Sequence, residues 1–179
     1  AVRSYLLTTG TPHISIVETG TARGFSALCM ARAISDAGVS GRIVTFDVLP
    51  HNQKMYWNCI GDGSGPKTRA ELLKDYEELL DYIVFVQGDT KIQLPKVVNS
   101  RVQLAFLDGV HNEEYVEFEF NQVSKVQKSG DQIIFDDYNP ELFPGVVRAV
   151  DRLTQQRGYL SKVLRGGNSG RGFVVATKQ

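Results

Sequence analysis

Carboxylates recur in this chain at the ends of short β-branched runs. Glu18 closes residues 14–18, Asp47 closes 42–47, Asp89 lies just past 82–87, Asp108 follows 102–107, and Asp136-Asp137 follows 132–135. In an open sheet of parallel strands such positions gather at one edge, where ligands bind beyond the carboxyl ends. The first of them, Val17-Glu-Thr-Gly-Thr-Ala-Arg-Gly24, reads as a narrow strand-to-helix turn. Gly20 permits a positive φ and close approach of a ligand, Thr19 and Thr21 flank it, and Ala22 and Gly24 keep the turn small. Glu18 stands where a dinucleotide site would hold pyrophosphate. A carboxylate there repels phosphate and suits a cationic cofactor, or one that donates hydrogen bonds. The small residues step by two (20, 22, 24), unlike the G-x-G-x-x-G of a dehydrogenase.

The next two acids complete an adenosine-shaped set. Asp47, followed by Val48, ends the second strand, where a carboxylate can take two ribose hydroxyls. Gly88-Asp89-Thr90 ends the third and can meet an adenine edge. Any one of these acids alone reads as a solvated loop carboxylate; acids at the ends of three successive strands do not.

A second constellation does not follow from cofactor binding. Asp108, with His111 three residues on, ends the fourth strand, and Asp136-Asp137 ends the fifth. Three carboxylates in one cleft raise each other's pKa unless a cation sits among them. Oxygen ligands without Cys favour Mg²⁺, with Mn²⁺ and Ca²⁺ behind it. His111 has the near-neutral pKa of a general base. Plainer roles stay open: Asp108 as part of the cofactor pocket only, Asp136 or Asp137 as a cap, His111 as a helix-start residue.

The elements that must position these groups alternate along the chain. Strands are expected at 14–18, 42–47, 82–87, 102–107 and 132–135; helices at 25–36, 69–80, 112–127 and 144–156; and a terminal hairpin at 159–164 and 172–177 around the Gly-rich loop 165–171. That rhythm specifies one α/β domain over 1–179, doubly wound and Rossmann-like, with a mostly parallel seven-stranded sheet, helices on both faces and an antiparallel C-terminal strand. The stretch 50–69 is long enough for a lid. In it Met55, Tyr56 and Trp57 are candidates to cover a ring, and Lys54, Lys67 and Arg69 to meet an anion, while an oligomer contact fits equally well. His51 and Asn52 follow Asp47 closely enough to reach the cofactor. Cys29 reads as helix core, and Cys59 has no neighbouring base to mark it as a nucleophile. The loop 166–172 borders the substrate or simply turns a hairpin.

Lys plus Arg (20) equals Asp plus Glu (20), which disfavours a partner read through phosphates or an anionic membrane. Two cysteines supply no disulfide framework, so a reducing, cytoplasmic setting is expected. No apolar run has the length of a membrane span, and the first residue, Ala1, suggests a trimmed N-terminus.

Glu18-x-Gly20-x-Ala22-x-Gly24, Asp47, Gly88-Asp89 and Leu107-Asp108 together resemble the class I S-adenosylmethionine-dependent methyltransferases, over essentially the whole chain. One departure is Ala22, where that family usually has Gly; a slightly shifted turn is expected. Asp108, Asp136-Asp137 and His111 are similar to the metal-dependent O-methyltransferases, nearer the sugar and macrolide type than the catechol type. The resemblance implies S-adenosylmethionine held by Glu18, Thr19, Gly20, Thr21, Ala22, Gly24, Asp47, Val48, Gly88, Asp89, Thr90 and Asp108. It implies a divalent metal on Asp108, Asp136 and Asp137, with His111 taking the proton of a small hydroxylated acceptor. Homo-oligomers are compatible with it. Three other readings remain: a metal-independent methyltransferase, a non-catalytic cofactor-binding domain of the same fold, and an NAD-dependent oxidoreductase, which Glu18 disfavours.

Overall fold

The computed structural model describes residues 1–166 and 172–179. Helix α1 (Val2–Thr9) leads into strand β1 (His13–Thr19), then α2 (Phe25–Asp36) and β2 (Ser40–Asp47). After the excursion come α3 (Arg69–Leu73), α4 (Glu77–Leu80) and β3 (Ile83–Gln87), followed by α5 (Thr90–Val97) and β4 (Leu104–Leu107). The chain continues through α6 (Glu113–Ser124), β5 (Gln132–Phe135) and α7 (Pro144–Gln156), and ends in the hairpin β6 (Tyr159–Arg165) and β7 (Gly172–Lys178). The seven strands lie in the order β3-β2-β1-β4-β5-β7-β6. β7 runs antiparallel to both of its neighbours, and the other pairings are parallel. The order reverses beside β1, so the ends of β1 and β4 flank the crevice in which α/β sheets bind ligands.

Alternating strand residues feed two cores. Val17, Leu107, Phe135 and Val174 pack under α5, α6 and α7 with Phe120, Val150 and Leu153. Ile14, Ile16, Ile43 and Leu104 pack under α1, α2, α3 and α4 with Ala27, Ala31, Ile34, Leu73 and Leu79. Burying each such aliphatic side chain contributes about 1.5–3 kcal/mol.

Two expectations about elements need correction. The helix expected over 69–80 is broken into α3 and α4 by a 3₁₀ turn, Lys74–Tyr76. Leu73 and Leu79 are both buried, and a six-residue spacing puts them on different faces of one α-helix. The tighter turn brings both to the core. Helices α1 and α5 were not foreseen; α5 is short and carries Pro95 inside it, which hides its periodicity. Of the expected Gly-rich loop, residues 167–171 lie outside those described. No helix among the described residues is long and apolar enough to cross a membrane.

Candidate active site

The turn after β1 is held by a hydrogen-bond net. Gly20 N and Thr21 N both donate to Phe46 O (2.9 and 3.2 Å), tying the turn to the end of β2. Gly20 has φ 85°, and a Cβ built on it would lie 1.9 Å from Asp108 O, so only glycine allows the ends of β1 and β4 to meet. Ala22 also has a positive φ, 44°. This gives a physical account of the departure at 22: an alanine holds the left-handed conformation that glycine would adopt at lower cost. Its N–H donates to Asp47 Oδ2 (2.6 Å), and its carbonyl accepts from Arg69 Nε (2.7 Å). Gly24, at φ 87°, caps the start of α2.

Glu18 is completely buried. Its Oε2 accepts from Thr45 Oγ1 (2.5 Å), and the Thr45 hydroxyl lies 2.6 Å from that of Thr21. Oε1 has no partner in strict hydrogen-bond geometry. Burial pushes the Glu18 carboxyl up to about 7 against the pull of the Ser26 and Thr45 hydroxyls; the charges of Asp108 and Asp47 add to the rise. A buried acceptor short of a donor suits a ligand that brings N–H groups and positive charge.

Asp47 is more committed than the sequence suggests. Besides Ala22 N, its Oδ2 accepts from Arg69 Nη2 (3.3 Å), and Oδ1 accepts from Leu49 N (2.9 Å). Three donors leave about one of a carboxylate's roughly four acceptor sites. Arg69 itself is 2% exposed, stacked over Trp57 (5.3 Å) and near Phe85 (6.0 Å). The expectation that Arg69 meets an anionic group is therefore corrected: its charge is spent under the turn. Trp57 is buried and donates to Lys67 O (2.6 Å), so it anchors the 50–69 excursion, while Tyr56 is exposed. Asp62 staples the same excursion by accepting from Trp57 N and Cys59 N (3.1 Å each), and Met55 pairs with Lys67. His51 stacks on Phe85 (4.5 Å) and Asn52 is exposed. Cys29, read as helix core, is exposed. Val48 is exposed beyond β2.

Gly88 N donates to Asp47 O (2.8 Å), joining the ends of β3 and β2. Asp89 caps α5: Oδ1 accepts from Lys91 N (2.8 Å), and Oδ2 accepts from the Tyr115 hydroxyl (2.8 Å). Thr90 is turned inward, donating to Glu119 Oε1 (2.7 Å).

Asp108, His111 and Asp137 converge. One potential ligand atom from each lies within 4.8 Å of the others. His111 Nε2 is 3.2 Å from Asp108 Oδ1 and 3.0 Å from Asp137 Oδ2, and its ring packs on Phe143 (4.8 Å). The hydrogen bond to Asp108 raises the His111 pKa, with the charges of Asp137, Asp108 and Asp136 adding to it and burial opposing. Asp137 has φ 53°. Asp136 stands outside this trio, its Oδ1 accepting from Asp137 N (2.7 Å). The two carboxylates of Asp108 and Asp137 could hold a divalent cation, with the His111 imidazole beside them.

Sequence reasoning missed Tyr115 and Glu119. Glu119 was detectable, because it shares the core-facing row of Val116, Phe120 and Val123 on α6 and a carboxylate there is anomalous. Burial pushes its pKa up to about 7, against the Thr90 and Thr19 hydroxyls. Among the described residues, a concavity of about 1130 Å³ lies away from these acids. It is an apolar groove between α2, Leu73, Leu79 and the faces of β4, β5 and β7.

Residues 17–138, more than half of the chain, match a family model described as a methyltransferase domain. Among curated protein sequences, none matches. Solved structures with a similar fold include an O-methyltransferase from Bacillus cereus in complex with SAH (19% identity, TM-score 0.70, 99% of this chain and 79% of that one). The O-methyltransferase TomG from Streptomyces achromogenes, involved in tomaymycin synthesis and solved with SAM, is similar (18%, TM-score 0.68, 99% and 79%). So is the O-methyltransferase NovP (18%, TM-score 0.74, 99% and 78%). At these identities the likeness is one of fold.

Proposed function

This chain belongs to the methyltransferase domain family, with the class I S-adenosylmethionine-dependent fold, and we propose that it methylates a hydroxyl oxygen of a small molecule with the help of a divalent cation. The observation that carries this reading is the meeting of Asp108, His111 and Asp137 within 4.8 Å, directly against the Gly20 turn.

In this reading Glu18 and the turn Thr19, Gly20, Thr21, Ala22 and Gly24 hold the methionine part of the cofactor. The Glu18 Oε1, which lacks a well-aligned donor, leaves room for one there. Asp47 offers its remaining acceptor site to the ribose beside Val48, and Gly88, Asp89 and Thr90 border the adenine. Asp108 and Asp137, with Asp136 fixing the Asp137 backbone, are the carboxylates that would hold the ion. When bound, S-adenosylmethionine would supply a methyl on a sulfonium, and an ion held by Asp108 and Asp137 would lower the pKa of an acceptor hydroxyl. Asp108 and the turn fix the approach of oxygen to methyl, which is largely a matter of alignment. Passage of the methyl from the sulfonium sulfur to the acceptor oxygen would release the hydroxyl proton, which His111 Nε2 is placed to take. That role requires neutral His111, and neutralising the two carboxylates beside it lowers its pKa toward that state.

A second reading is favoured by one contact. His111 Nε2 itself bridges Asp108 and Asp137, as it would in a methyltransferase that works without metal. Calorimetry with S-adenosylhomocysteine and Mn²⁺ separates the two. The first reading expects both to bind, with Asp108→Asn and Asp137→Asn each weakening Mn²⁺ by at least about tenfold. Binding of S-adenosylhomocysteine with no Mn²⁺ binding selects the second, and no binding of either overturns both.

A further inference from the structure

Glu119 lies outside the donor trio, yet three segments of the site meet on it. On β1, Thr19 Oγ1 donates to its Oε2 (2.8 Å); at the start of α5, Thr90 Oγ1 donates to its Oε1 (2.7 Å). A Cβ on Gly109 would come 3.1 Å from Oε1 and 3.2 Å from Thr19 Oγ1, so the residue after Asp108 packs against the same pair. Thr19 Oγ1, having given its proton to Glu119, also accepts from Asp108 N (3.3 Å). Two chains of hydrogen bonds thus converge on the carboxyl, one from the Asp108 amide through Thr19 to Oε2 and one from Thr90 to Oε1. An aliphatic side chain at 119 would fill this core position without desolvation cost, whereas a carboxyl there is tolerable only when hydrogen-bonded. Its presence is therefore accounted for by what it binds.

We propose that Glu119 is a positioning residue. It locks the Thr19–Gly20 turn, the Asp89-Thr90 segment and the Asp108–His111 loop into one register. The inference rests on the site reading given above. Methyl transfer needs oxygen, methyl and base in line, and the three segments carry groups proposed for these tasks.

Replacing Glu119 by an apolar residue of similar size separates positioning from stability. Glu119→Leu is expected to keep the thermal midpoint, because a buried carboxyl is exchanged for an aliphatic group. It is expected to weaken S-adenosylhomocysteine binding about tenfold. Backbone hydrogen exchange at Gly20, Lys91 and Asp108 should rise together. Glu119→Gln, which can accept from one threonine and donate to the other, should recover the affinity to within about threefold. A purely structural Glu119 would leave affinity and these amides unchanged in Glu119→Leu, and that result overturns the proposal. Should Glu119→Leu fail to fold, Thr90→Val decides: exchange at Asp108, 18 residues away, quickens only if Glu119 couples the two. Failure of the wild-type protein to bind S-adenosylhomocysteine would refute the proposed function instead, and the exchange comparison would still decide the role of Glu119.

Discussion

Gly20→Ala should damage this protein in a way that can be worked out from the contact it breaks. The new Cβ would lie 1.9 Å from Asp108 O and 2.6 Å from its carbonyl carbon, where real Cβ contacts essentially never fall below 3.0 Å. The ends of β1 and β4 must therefore separate by about 1.1 Å, and both partners are backbone that cannot rotate away. Positive φ adds a further cost of about 1–2 kcal/mol for alanine. Gly10→Ala provides the control. Gly10 has φ 61° but nothing within 4 Å of its built Cβ, so that variant isolates the conformational cost. Gly24→Ala is intermediate, with φ 87° and a Leu73 methyl at 3.2 Å that can move. A displacement of about 1 Å at a reacting site can cost about a hundredfold. Gly20→Ala should thus slow methyl transfer by about a hundredfold, weaken S-adenosylhomocysteine binding in calorimetry and lose more stability in urea than Gly10→Ala. Gly10→Ala should lose about 1 kcal/mol of stability and no affinity. Equal stability losses in the two variants, with Gly20→Ala binding within twofold of wild type, would refute the geometric argument.

Arg69→Ala leaves Asp47 uncompensated beneath the turn and should cost about 3–5 kcal/mol, measured by urea unfolding, with a red shift in the emission of Trp57, the sole tryptophan. Unchanged stability would show that the pair is not a structural anchor. The two buried carboxyls set a pH dependence. Glu18 and Glu119 titrate near 7 when folded, above their usual 4.5, so the unfolded chain releases their protons first as pH rises. Their contribution is fully present below about 4.5 and lost as pH climbs through about 7, worth about 3 kcal/mol for each. Relative to Glu18→Gln or Glu119→Gln, wild type should lose stability between pH 4.5 and 8; a constant difference across that window would contradict the burial argument. Tyr5→Phe removes a hydrogen bond to the fully buried Asp131 (3.0 Å) and should lower stability by about 1–2 kcal/mol without affecting cofactor binding, as Asp131 sits just before the start of β5, the strand end opposite the acids.

The sequence by itself determined the succession of strands and the place of the acids along it. Short β-branched runs such as Ile14–Val17 read as strands, and the right-handed parallel connections put their carboxyl ends on one edge. Glu18, Gly20, Asp47, Asp108 and Asp137 therefore lie at or just past the carboxyl ends of β1, β2, β4 and β5. What each side chain binds there was decided only by tertiary structure. Arg69 read as a lid cation that could meet an anionic group, and became the buried partner of Asp47 because Trp57 and Phe85 enclose it at the start of α3. Asp136 and Asp137 are adjacent and identical in sequence, yet the positive φ at Asp137 sends one to His111 and leaves the other holding a backbone amide. Glu119 gave a faint signal on its helix face, but its meaning depends on Thr19 and Thr90, 100 and 29 residues away. Local periodicity fixes which way a residue points along its own element. Pairings between elements depend on how the layers close on one another, and that information is spread over the whole chain.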